Sequence, residues 1–449
     1  MDPPVKVNFM DKLDYMDIEN LYRRFLLSKG VCTDSRELEP GTIFFALRGE
    51  NFDGNSFVLT ALENGAQFAV ADDPSLPDND KIIKCRDSLK TLQELARFHR
   101  RQLGIPLLAL TGTNGKTTTK ELISAVLSAR YNVTYTKGNL NNHIGVPLTL
   151  LSMSSSTQIG VVEMGASAPG EIAALVSVTE PDCGLITNIG KAHLQGFGTL
   201  DGVRKSKGEL YDYLKKSGGT ILYNADNPIL SEMIREREPV KSIPYGILCS
   251  GMTIVEPSGN TPFLTIRYND LYSVSTHLIG EYNADNVAAA LCAGEFFNVD
   301  REAAVKAIGN YIPSNNRSML VRGNRNLLIV DAYNANPVSM MAALSNFRKI
   351  CRNSCALILG DMLELGEESV NEHRAVLKYI SGMKSDIMLF VGSQFRAAAA
   401  GNPAFSSAKF FTDSLELKEY IAKNPVSGKT ILIKGSRGTR LERVIDLLR

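Results

Sequence analysis

The stretch LLALTGTNGKTTTKELI, residues 107–123, constrains the fold more than any other part of the chain. Its first four residues are apolar and predict a buried strand, and the residues from Thr118 onward predict a helix. Apolar residues then recur at helical spacing: Leu122, Ile123, Val126, Leu127 and Ala129. The sequence therefore predicts a strand, a short polar turn and a helix in succession.

The turn itself has the composition of a phosphate-binding loop. Gly112 and Gly115 allow a tight turn that aims backbone N–H groups at an anion on the helix N-terminus. Lys116 adds a point charge, and the Thr117 hydroxyl is suited to Mg²⁺. The longer loop pattern, G-x-x-x-x-G-K-[ST], has a glycine where this chain has Leu110. We interpret the stretch as a nucleoside triphosphate site; the alternative is a strand-to-helix turn without a ligand.

Length, composition and charge limit the class of protein. The 449 residues exceed a single core, so we expect two to four domains. A formal charge of +1 gives no reason to expect nucleic acid or an anionic membrane as a partner. The N-terminus lacks the pattern of a secretory signal, and no apolar run approaches the roughly 20 residues that cross a bilayer. We therefore expect a cytoplasmic protein without membrane insertion.

Seven cysteines at scattered positions do not form a disulfide framework. Cys351 and Cys355 are the closest pair, and no second pair completes a zinc site. We expect reduced and mostly buried thiols.

The order of strand-like, helix-like and turn-forming segments along the sequence predicts three domains, at residues 1–86, 87–312 and 313–449. The fold class is α/β: a small α/β N-terminal domain, a central parallel-sheet domain with the phosphate loop, and a Rossmann-like doubly wound C-terminal domain. Four C-terminal strands end at polar or small residues, where ligands bind in such sheets. These residues are Asp331, Asp361, Gly392 and Lys434.

Two polar residues follow strands of the central region and are candidate metal ligands. Glu163 ends the strand IGVVEM, and His193 follows the strand CGLITNI. Mg²⁺ or Mn²⁺ needs a few hard ligands in addition to phosphate oxygens. A helix cap or salt bridge for Glu163, and a local hydrogen bond for His193, explain the two residues equally well.

Motifs for other chemistry are missing from the sequence. There is no G-x-S-x-G elbow, no H-E-x-x-H helix and no complete G-x-G-x-x-G fingerprint. A nucleotide, a divalent cation and polar strand ends in a second sheet are what remain. This combination favours an enzyme that uses ATP to activate a substrate held between domains.

Six motifs together resemble the Mur ligases of peptidoglycan synthesis, a family that uses the shortened phosphate loop. The resemblance extends from TDSR to LIKGSRG. The motifs are TGTNGKTTTKE, GNLNNHIGVPLTLL, VVEMGASAPGEI, ITNIGKAHL, GEYNADNVAAAL and DAYNANPVSM.

The resemblance implies which branch of the family is closest. TDSRELEPGTIFFALRGENFDGNSF is similar to the N-terminal domain shared by the ligases that add the third residue and the terminal dipeptide. The chain lacks the Asp-Asn-Pro-Arg motif of the ligases that add a diamino acid. Its DAYNANPVSMMAAL and LGDMLELG segments resemble the dipeptide-adding ligases. The implied substrates are UDP-N-acetylmuramoyl-tripeptide, D-alanyl-D-alanine and ATP, and the implied reaction passes through an acyl phosphate.

The resemblance also implies roles for individual residues. Lys116, His193 and Lys207 are implied in catalysis, and Lys207 matches a lysine that the family carbamylates. Thr117, Glu163, His193 and Lys207 match ligands of Mg²⁺. The implied ATP-binding set is Gly112, Thr113, Asn114, Gly115, Lys116, Thr117, Thr118, Asn286, Arg317 and Asp331. The residues implied for the sugar-nucleotide substrate are Ser35, Arg36, Asn141 and Asn142.

Two other functions stay open from the sequence. A folylpolyglutamate synthetase-like ligase uses a related scaffold and the same chemistry, although the TDSR domain argues against it. A non-enzymatic nucleotide-binding regulator needs the loop without a substrate domain.

The local sequence around Lys207 allows a second interpretation of this residue. Lys207 follows Arg204 and Lys205, so it could also belong to a solvated basic run. We expect a monomer whose domains close on ATP about a hinge at Asn315 and Asn316.

Overall fold

Three separate parallel sheets organise the computed structural model, which describes residues 17–256, 262–268, 272–313, 317–351 and 353–449. The first sheet has the strand order β1-β2-β5-β6, with a short β3-β4 hairpin beside it. Its elements are α1 Ile18–Leu27, β1 Val31–Cys32, β2 Ile43–Phe45, β3 Arg48–Gly49, β4 Phe52–Asp53, α2 Val58–Glu63, β5 Phe68–Ala71 and β6 Ile82–Lys84.

Helix α3, Ser88–Leu103, links the first sheet to the second. It begins where the Asp87 side chain accepts a hydrogen bond from the Lys90 amide, and it ends at Gly104 in the left-handed region, with φ 60°. Its buried residues Leu92 and Leu95 belong to one core with residues of both neighbouring sheets. Because α3 shares this core with both sheets, it cannot be assigned to one domain by its packing. The domain boundary between residues 86 and 87 therefore stays a prediction.

The second sheet is six-stranded and parallel, in the order β12-β11-β10-β7-β9-β8, and a three-stranded antiparallel sheet, β13-β14-β15, follows it. The elements are β7 Leu107–Thr111, α4 Lys116–Leu127, β8 Val133–Tyr135, α5 Gly145–Leu151, β9 Ile159–Glu163, α6 Glu171–Thr179, β10 Cys183–Ile186, α7 Leu194–Phe197, α8 Leu200–Ser217, β11 Thr220–Asn224, α9 Pro228–Arg235, β12 Lys241–Tyr245, β13 Met252–Val255, β14 Phe263–Tyr268, β15 Tyr272–Ile279, α10 Ala284–Phe296 and α11 Arg301–Asn310.

Strand β7 shows why its apolar run is continuous. Leu107 and Ala109 pack with α3, α5, α6 and α8 on one face of the sheet. Leu108 and Leu110 pack with α4, α10 and α11 on the other face. A parallel strand covered on both faces needs apolar residues at every position. The phosphate loop therefore starts from the fully buried centre of the sheet.

The third sheet has the order β16-β17-β21-β18-β19-β20, in which only β16 runs antiparallel to its neighbour. Its elements are β16 Met319–Arg322, β17 Leu327–Asp331, α12 Pro337–Ile350, β18 Cys355–Gly360, α13 Ser369–Ser381, β19 Ile387–Val391, α14 Ser393–Ala399, β20 Lys409–Phe411, α15 Ser414–Lys423, β21 Thr430–Lys434 and α16 Ile445–Leu448. One further core residue comes from β15: Ile279 is 1% exposed and packs among the residues of this sheet.

The predicted α/β class with three sheet-based domains is confirmed, and several local expectations change. Helix α4 begins at Lys116 and ends at Leu127, so Ala129 lies beyond it and is exposed. The antiparallel β13-β14-β15 sheet was not predicted. Asn315 and Asn316 of the predicted hinge lie outside the described residues, and the domain bounds 1–86, 87–312 and 313–449 stay predictions.

The expectation of reduced thiols is wrong for one pair of cysteines. Cys351 and Cys355 are joined by a disulfide. Cys351 caps the end of α12 and Cys355 starts β18, and this tight connection brings their Cα atoms to 6.0 Å. The spacing of the two cysteines in the sequence did not reveal that they form a disulfide. None of the described helices has both the length and the apolar character needed to cross a bilayer.

Candidate active site

The phosphate loop is packed so closely that its two glycines have no room for a side chain. Gly112 has φ 144°, and a Cβ there would lie 2.0 Å from Thr187 Oγ1. Gly115 has φ 78°, and its Cβ would lie 2.6 Å from Asn286 Oδ1. The end of β10 and the start of α10 therefore fix the loop from two sides, in a backbone conformation that favours glycine.

Lys116 lies over the loop at the first turn of α4. Its Nζ donates to the carbonyls of Gly112, at 2.7 Å, and Thr113, at 3.2 Å. Burial lowers the pKa of Lys116, and the negative charge of Glu163 opposes that shift. The lysine is held beside the N–H groups of the helix start, where a terminal phosphate would lie.

Glu163 is the centre of a polar cluster below the loop and is 1% exposed. Its Oε2 accepts from Thr117 Oγ1 at 2.9 Å, and its Oε1 accepts from Asn141 Nδ2 at 2.8 Å. Lys120 Nζ lies 3.9 Å from the same Oε2. The structure thus joins Thr117 and Glu163, as expected of two ligands of one cation.

His193 and Lys207 lie near enough to Lys116 for its charge to act on both. His193 has φ 49°, and its Nδ1 pairs with Glu364 from the third domain. Burial lowers the pKa of His193, and Glu364 opposes the shift. Lys207 is 2% exposed, and its Nζ donates to the Ala166 carbonyl at 3.2 Å.

Lys207 does not belong to a solvated basic run. Burial lowers the pKa of Lys207 to about 7, and the charge of Lys116 adds to the effect. Its neighbours point elsewhere: Arg204 pairs with Glu236, and Lys205 pairs with Asp201. A buried lysine whose amine is readily neutral is unusual for a structural role.

Two groups from the third domain complete the site. The Arg317 guanidinium stacks on Tyr333, with Cζ 3.6 Å from the ring centroid, and its buried Nε has no hydrogen-bond partner. Asp331 Oδ2 accepts from Lys434 Nζ at 2.6 Å. A stacked arginine with an unused donor suits a phosphate group.

One cavity of about 790 Å³, between the second and third sheets, brings together Lys116, Glu163, His193, Arg317 and Asp331, whereas the predicted site residues Gly112 and Lys207 do not line it. Among the described residues no three His, Cys, Asp or Glu side chains cluster as a metal site. The oxygens of Thr117 and Glu163 nevertheless fit Mg²⁺, because this ion keeps few protein ligands and takes phosphate oxygens besides. The predicted site residues that line the cavity are Thr113, Asn114, Gly115, Lys116, Thr117, Thr118, Asn141, Asn142, Glu163, His193, Asn286, Arg317 and Asp331.

Comparisons with known proteins agree with this geometry. Three family profiles match in chain order: "Mur ligase family, catalytic domain" at residues 28–100, "Mur ligase middle domain" at 110–294 and "Mur ligase, glutamate ligase domain" at 316–437. The UDP-N-acetylmuramoyl-tripeptide–D-alanyl-D-alanine ligase of Bacillus subtilis (strain 168) is 36% identical over 93% of each chain. The chain belongs to the Mur ligase family.

Two solved Mur ligase structures resemble the whole chain. MurF from Acinetobacter baumannii superposes with a TM-score of 0.82, at 28% identity, over 95% of this chain and 98% of that one. The MurF ligase from Thermotoga maritima, solved in complex with ADP, also has a TM-score of 0.82, at 25% identity, over 94% and 97% of the two chains. The predicted fold and family are therefore both confirmed.

Some residues assigned from the Mur ligase resemblance are not free at the cavity. Ser35 and Arg36 do not line it; Arg36 is exposed and bonds to Asp34 at 2.6 Å. Asn142 Oδ1 accepts from two backbone amides at the start of α5. Asn286 accepts from Thr119 Oγ1 and donates to Asn283 Oδ1, each at 2.9 Å. Each of these contacts uses only one acceptor site of Oδ1 or one N–H of Nδ2, so the Asn286 amide keeps one donor and one acceptor position for a ligand.

Sequence reasoning on this Mur ligase also missed functional residues. Asn336 of the third domain donates to Asn114 Oδ1 of the phosphate loop at 2.7 Å, and it caps α12 as well. Tyr333 carries the Arg317 stack, and Glu364 pairs with His193. Asn336 and Tyr333 stand in the DAYNANP motif, but a strand-end motif does not say which side chain crosses to another domain.

Lys120 was also missed, although it follows Thr117 by one helical turn. Its side chain is 1% exposed, between Glu163 at 3.9 Å and Glu121 at 3.8 Å. Removing one partner of a buried ion pair leaves a charge uncompensated. We therefore expect Lys120→Met to lower the free energy of unfolding by about 3 kcal/mol in urea denaturation.

Lys137→Met is the matched control for this prediction. Lys137 is exposed and lies over the same Tyr135 ring that Lys120 approaches, at 4.1 Å from its centroid. Because it has no buried carboxylate partner, its substitution is expected to change stability by less than about 1 kcal/mol. Equal effects of the two substitutions would show that the carboxylates do not depend on Lys120.

Proposed function

We propose that this Mur ligase joins D-alanyl-D-alanine to UDP-N-acetylmuramoyl-tripeptide and uses ATP to do so. One observation carries the proposal: a ligase named for this reaction is 36% identical along 93% of both chains. The cavity supports it, because the phosphate loop and a stacked arginine from another domain face the same space. We further propose a monomeric protein that acts in the cytoplasm.

The reaction has two steps that the chain's own groups can assist. A carboxylate oxygen of the tripeptide takes the γ-phosphoryl group of ATP, and ADP leaves. The dipeptide amine then attacks the acyl carbon, a C–N bond forms, phosphate leaves and the amine loses a proton. Lys116 and Arg317 stabilise the negative charge of the transferred group, so no protein nucleophile is needed.

Thr117, Glu163 and His193 are the residues that we propose as ligands of Mg²⁺ or Mn²⁺. When bound, the cation neutralises phosphate charge. Glu163 is already oriented by Asn141, whose amide holds the other carboxylate oxygen. His193 would bind the cation through Nε2, since its Nδ1 is paired with Glu364, and a carboxylate on the other ring nitrogen is the usual partner of a metal-binding histidine.

We propose that Lys207 is carbamylated. Its amine is buried near the Phe197 ring, with one backbone carbonyl as its hydrogen-bond partner. Addition of the neutral amine to CO₂ forms an N–C bond and releases a proton, so that a cation becomes an anion. The carbamate would then help to hold a second Mg²⁺.

The remaining residues are proposed to bind the two large substrates. Asn114, Asn286 and Asp331 would contact ATP together with the loop residues from Gly112 to Thr118. Asn141 and Asn142 would contact the sugar-nucleotide peptide at the cavity. Ser35 and Arg36 would contact it in the first domain, outside the cavity.

A substrate panel tests the proposed function. Purified protein is incubated with ATP, Mg²⁺, D-alanyl-D-alanine and UDP-N-acetylmuramoyl-tripeptides whose third residue is either lysine or another diamino acid. Mass spectrometry should find a product that has gained two alanines and depends on ATP. No such product with either acceptor would contradict the proposal.

The two alternative functions are not favoured. A folylpolyglutamate synthetase-like ligase has no need for the N-terminal Mur domain that matches at residues 28–100. A nucleotide-binding regulator has no need for polar groups that converge on the phosphate loop from a third domain. ATP turnover that is independent of the peptide substrate would favour the hypothesis of a nucleotide-binding regulator.

Domain closure gives a further prediction. Because Lys116 and Arg317 belong to different domains, ATP gains the Arg317 contact only when those domains are close. We expect ATP plus the sugar-nucleotide peptide to reduce the radius of gyration in solution scattering. Arg317→Ala should weaken that compaction and lower turnover together.

Arg374→Ala, on the exposed face of α13, is the control for closure and should behave as wild type. An unchanged radius of gyration with saturating ligands, in an active preparation, would mean that the domains are already closed or do not move. Asn336→Ala offers an independent variant, since it removes the hydrogen bond to Asn114.

A further inference from the structure

The buried side chain of Lys120, in the second turn of α4, takes no part in the proposed reaction. Its Nζ lies 3.9 Å from Glu163 Oε2 and 3.8 Å from Glu121 Oε1. Both separations are longer than a hydrogen bond. Lys120 Nζ forms no hydrogen bond with any residue that the structure describes. An ammonium group at nearly equal distances from two carboxylates is held by charge and not by directional bonds.

The two carboxylates beside Lys120 have different surroundings. Glu163 lines the cavity, and its Oε2 accepts from Thr117 Oγ1 at 2.9 Å. Glu121 does not line the cavity. Its Oε2 accepts from the hydroxyl of Tyr311, the residue at the end of α11. Tyr311 therefore orients Glu121 so that the other oxygen, Oε1, is left to Lys120.

A cation that binds Glu163 changes the balance of charge around Lys120. Two positive charges a few ångströms apart repel, so Lys120 is less stable beside Glu163 once the cation is bound. Glu121 is a second carboxylate within reach of the same ammonium group. Burial lowers the pKa of Lys120, and the charges of both carboxylates oppose that shift. With two carboxylates available, the lysine keeps a buried partner whether or not the cation is bound.

We propose that Lys120 is an exchangeable counter-ion of Glu163. It neutralises Glu163 in the absence of the cation and pairs with Glu121 when the cation binds. This inference rests on the proposed function, because that function supplies the cation at Glu163. Lys120 is a positioning residue, since it acts through Glu163. A counter-ion that competes with the cation keeps the affinity moderate, so that the cation leaves with ADP after each turnover.

The test measures how much a cation adds to nucleotide binding in the full chain. Titration calorimetry gives the Kd of β,γ-methylene-ATP in EDTA and with saturating Mn²⁺, and we call the ratio of the first to the second the cation gain. Lys120→Met should raise the cation gain by about 10-fold, because a competing positive charge is lost. Glu121→Gln should lower it by about 10-fold, because Lys120 then stays beside Glu163.

The double variant Lys120→Met/Glu121→Gln separates the exchange of a counter-ion from a general effect of charge. Without Lys120, Glu121 has no counter-ion to accept. The second substitution should therefore leave the cation gain of Lys120→Met unchanged within about 2-fold. A direct effect of the Glu121 charge on the cation would lower the gain by the same factor in both backgrounds, and this result would overturn the inference.

Tyr311→Phe tests the same exchange without removing a charge, and it does not depend on whether Lys120→Met folds. Loss of the hydroxyl leaves Glu121 without the donor that orients it. The cation gain should fall by about 3-fold, in the same direction as in Glu121→Gln. An unchanged gain in both of these variants would overturn the inference.

Lys137→Met is the matched control, because Lys137 is exposed and lies over the same Tyr135 ring as Lys120. It should keep the wild-type cation gain. Glu163→Gln should lose most of the gain. Shifts in the same direction in Lys120→Met and Glu121→Gln would overturn the inference while the cation site stands. A wild-type gain in Glu163→Gln would overturn both. No peptide is present in these titrations, so they do not depend on which amide the enzyme forms.

Discussion

Lys116→Ala should reduce ligation by at least about 1,000-fold, since phosphoryl transfer depends on charge neutralisation rather than on a protein nucleophile. The structure holds Lys116 Nζ 2.7 Å from the Gly112 carbonyl, inside the loop that would surround the phosphates. Lys120, one helical turn beyond Thr117, cannot replace it, since Lys120 is engaged by two carboxylates. Phosphate release and product formation are both measured at saturating substrates.

Lys137→Ala serves as the control for this large effect, because Lys137 is an exposed lysine near the same helix. It should keep wild-type turnover. The Lys116 variant should also keep its thermal unfolding midpoint, so that a loss of activity is not a loss of fold. Phosphate release within a few-fold of wild type would refute the role of Lys116.

The second large effect concerns Lys207. Lys207→Ala should lose activity by about 100-fold or more, because the site loses an anionic ligand for a cation. Acetate or formate should partly restore turnover when they occupy the space of the carbamate. In the wild type, isotopically labelled bicarbonate should give a carbamate signal in the NMR spectrum that the alanine variant lacks.

Lys205→Ala is the control that shows whether the effect is specific to the buried lysine. Lys205 lies on the same helix as Lys207, but it is exposed and pairs with Asp201. It should retain activity and show no response to carboxylates. Full wild-type activity in bicarbonate-depleted buffer, with an unmodified Lys207 and no rescue of the alanine variant, would exclude carbamylation.

Much of the fold could be predicted from local sequence. The parallel strands β7, β9, β17 and β21 are continuous apolar runs because helices cover both faces of their sheets, and such runs are easy to recognise. The antiparallel strand β15 was not predicted, although buried and exposed residues alternate from Ser273 to Leu278. This alternation was present in the sequence, but it lies within a region where strands and helices otherwise alternate, and the strand was therefore not recognised.

The site was harder to predict than the fold. The loop residues follow from a short motif, because a phosphate loop is built from neighbours in sequence. Asn336, Glu364 and Lys120 are defined by contacts over long sequence separations, and no spacing rule reveals them. His193 lines the cavity as the sequence predicted for a site residue, but its pairing with an acid from another domain was not predicted.

Ile279 joins the central domain to the core of the third domain, and its position bears on the predicted domain closure. This residue belongs to β15, yet it is buried in the core of the third sheet, and β15 contacts the edge strand β16. We therefore expect that corner to be the pivot of domain closure. The opposite edge, β20, is five strand spacings from β16, roughly 24 Å away. A rotation of about 10° would displace β20 by roughly 4 Å while Ile279 scarcely moves. A small tilt at the corner would therefore be amplified along the sheet.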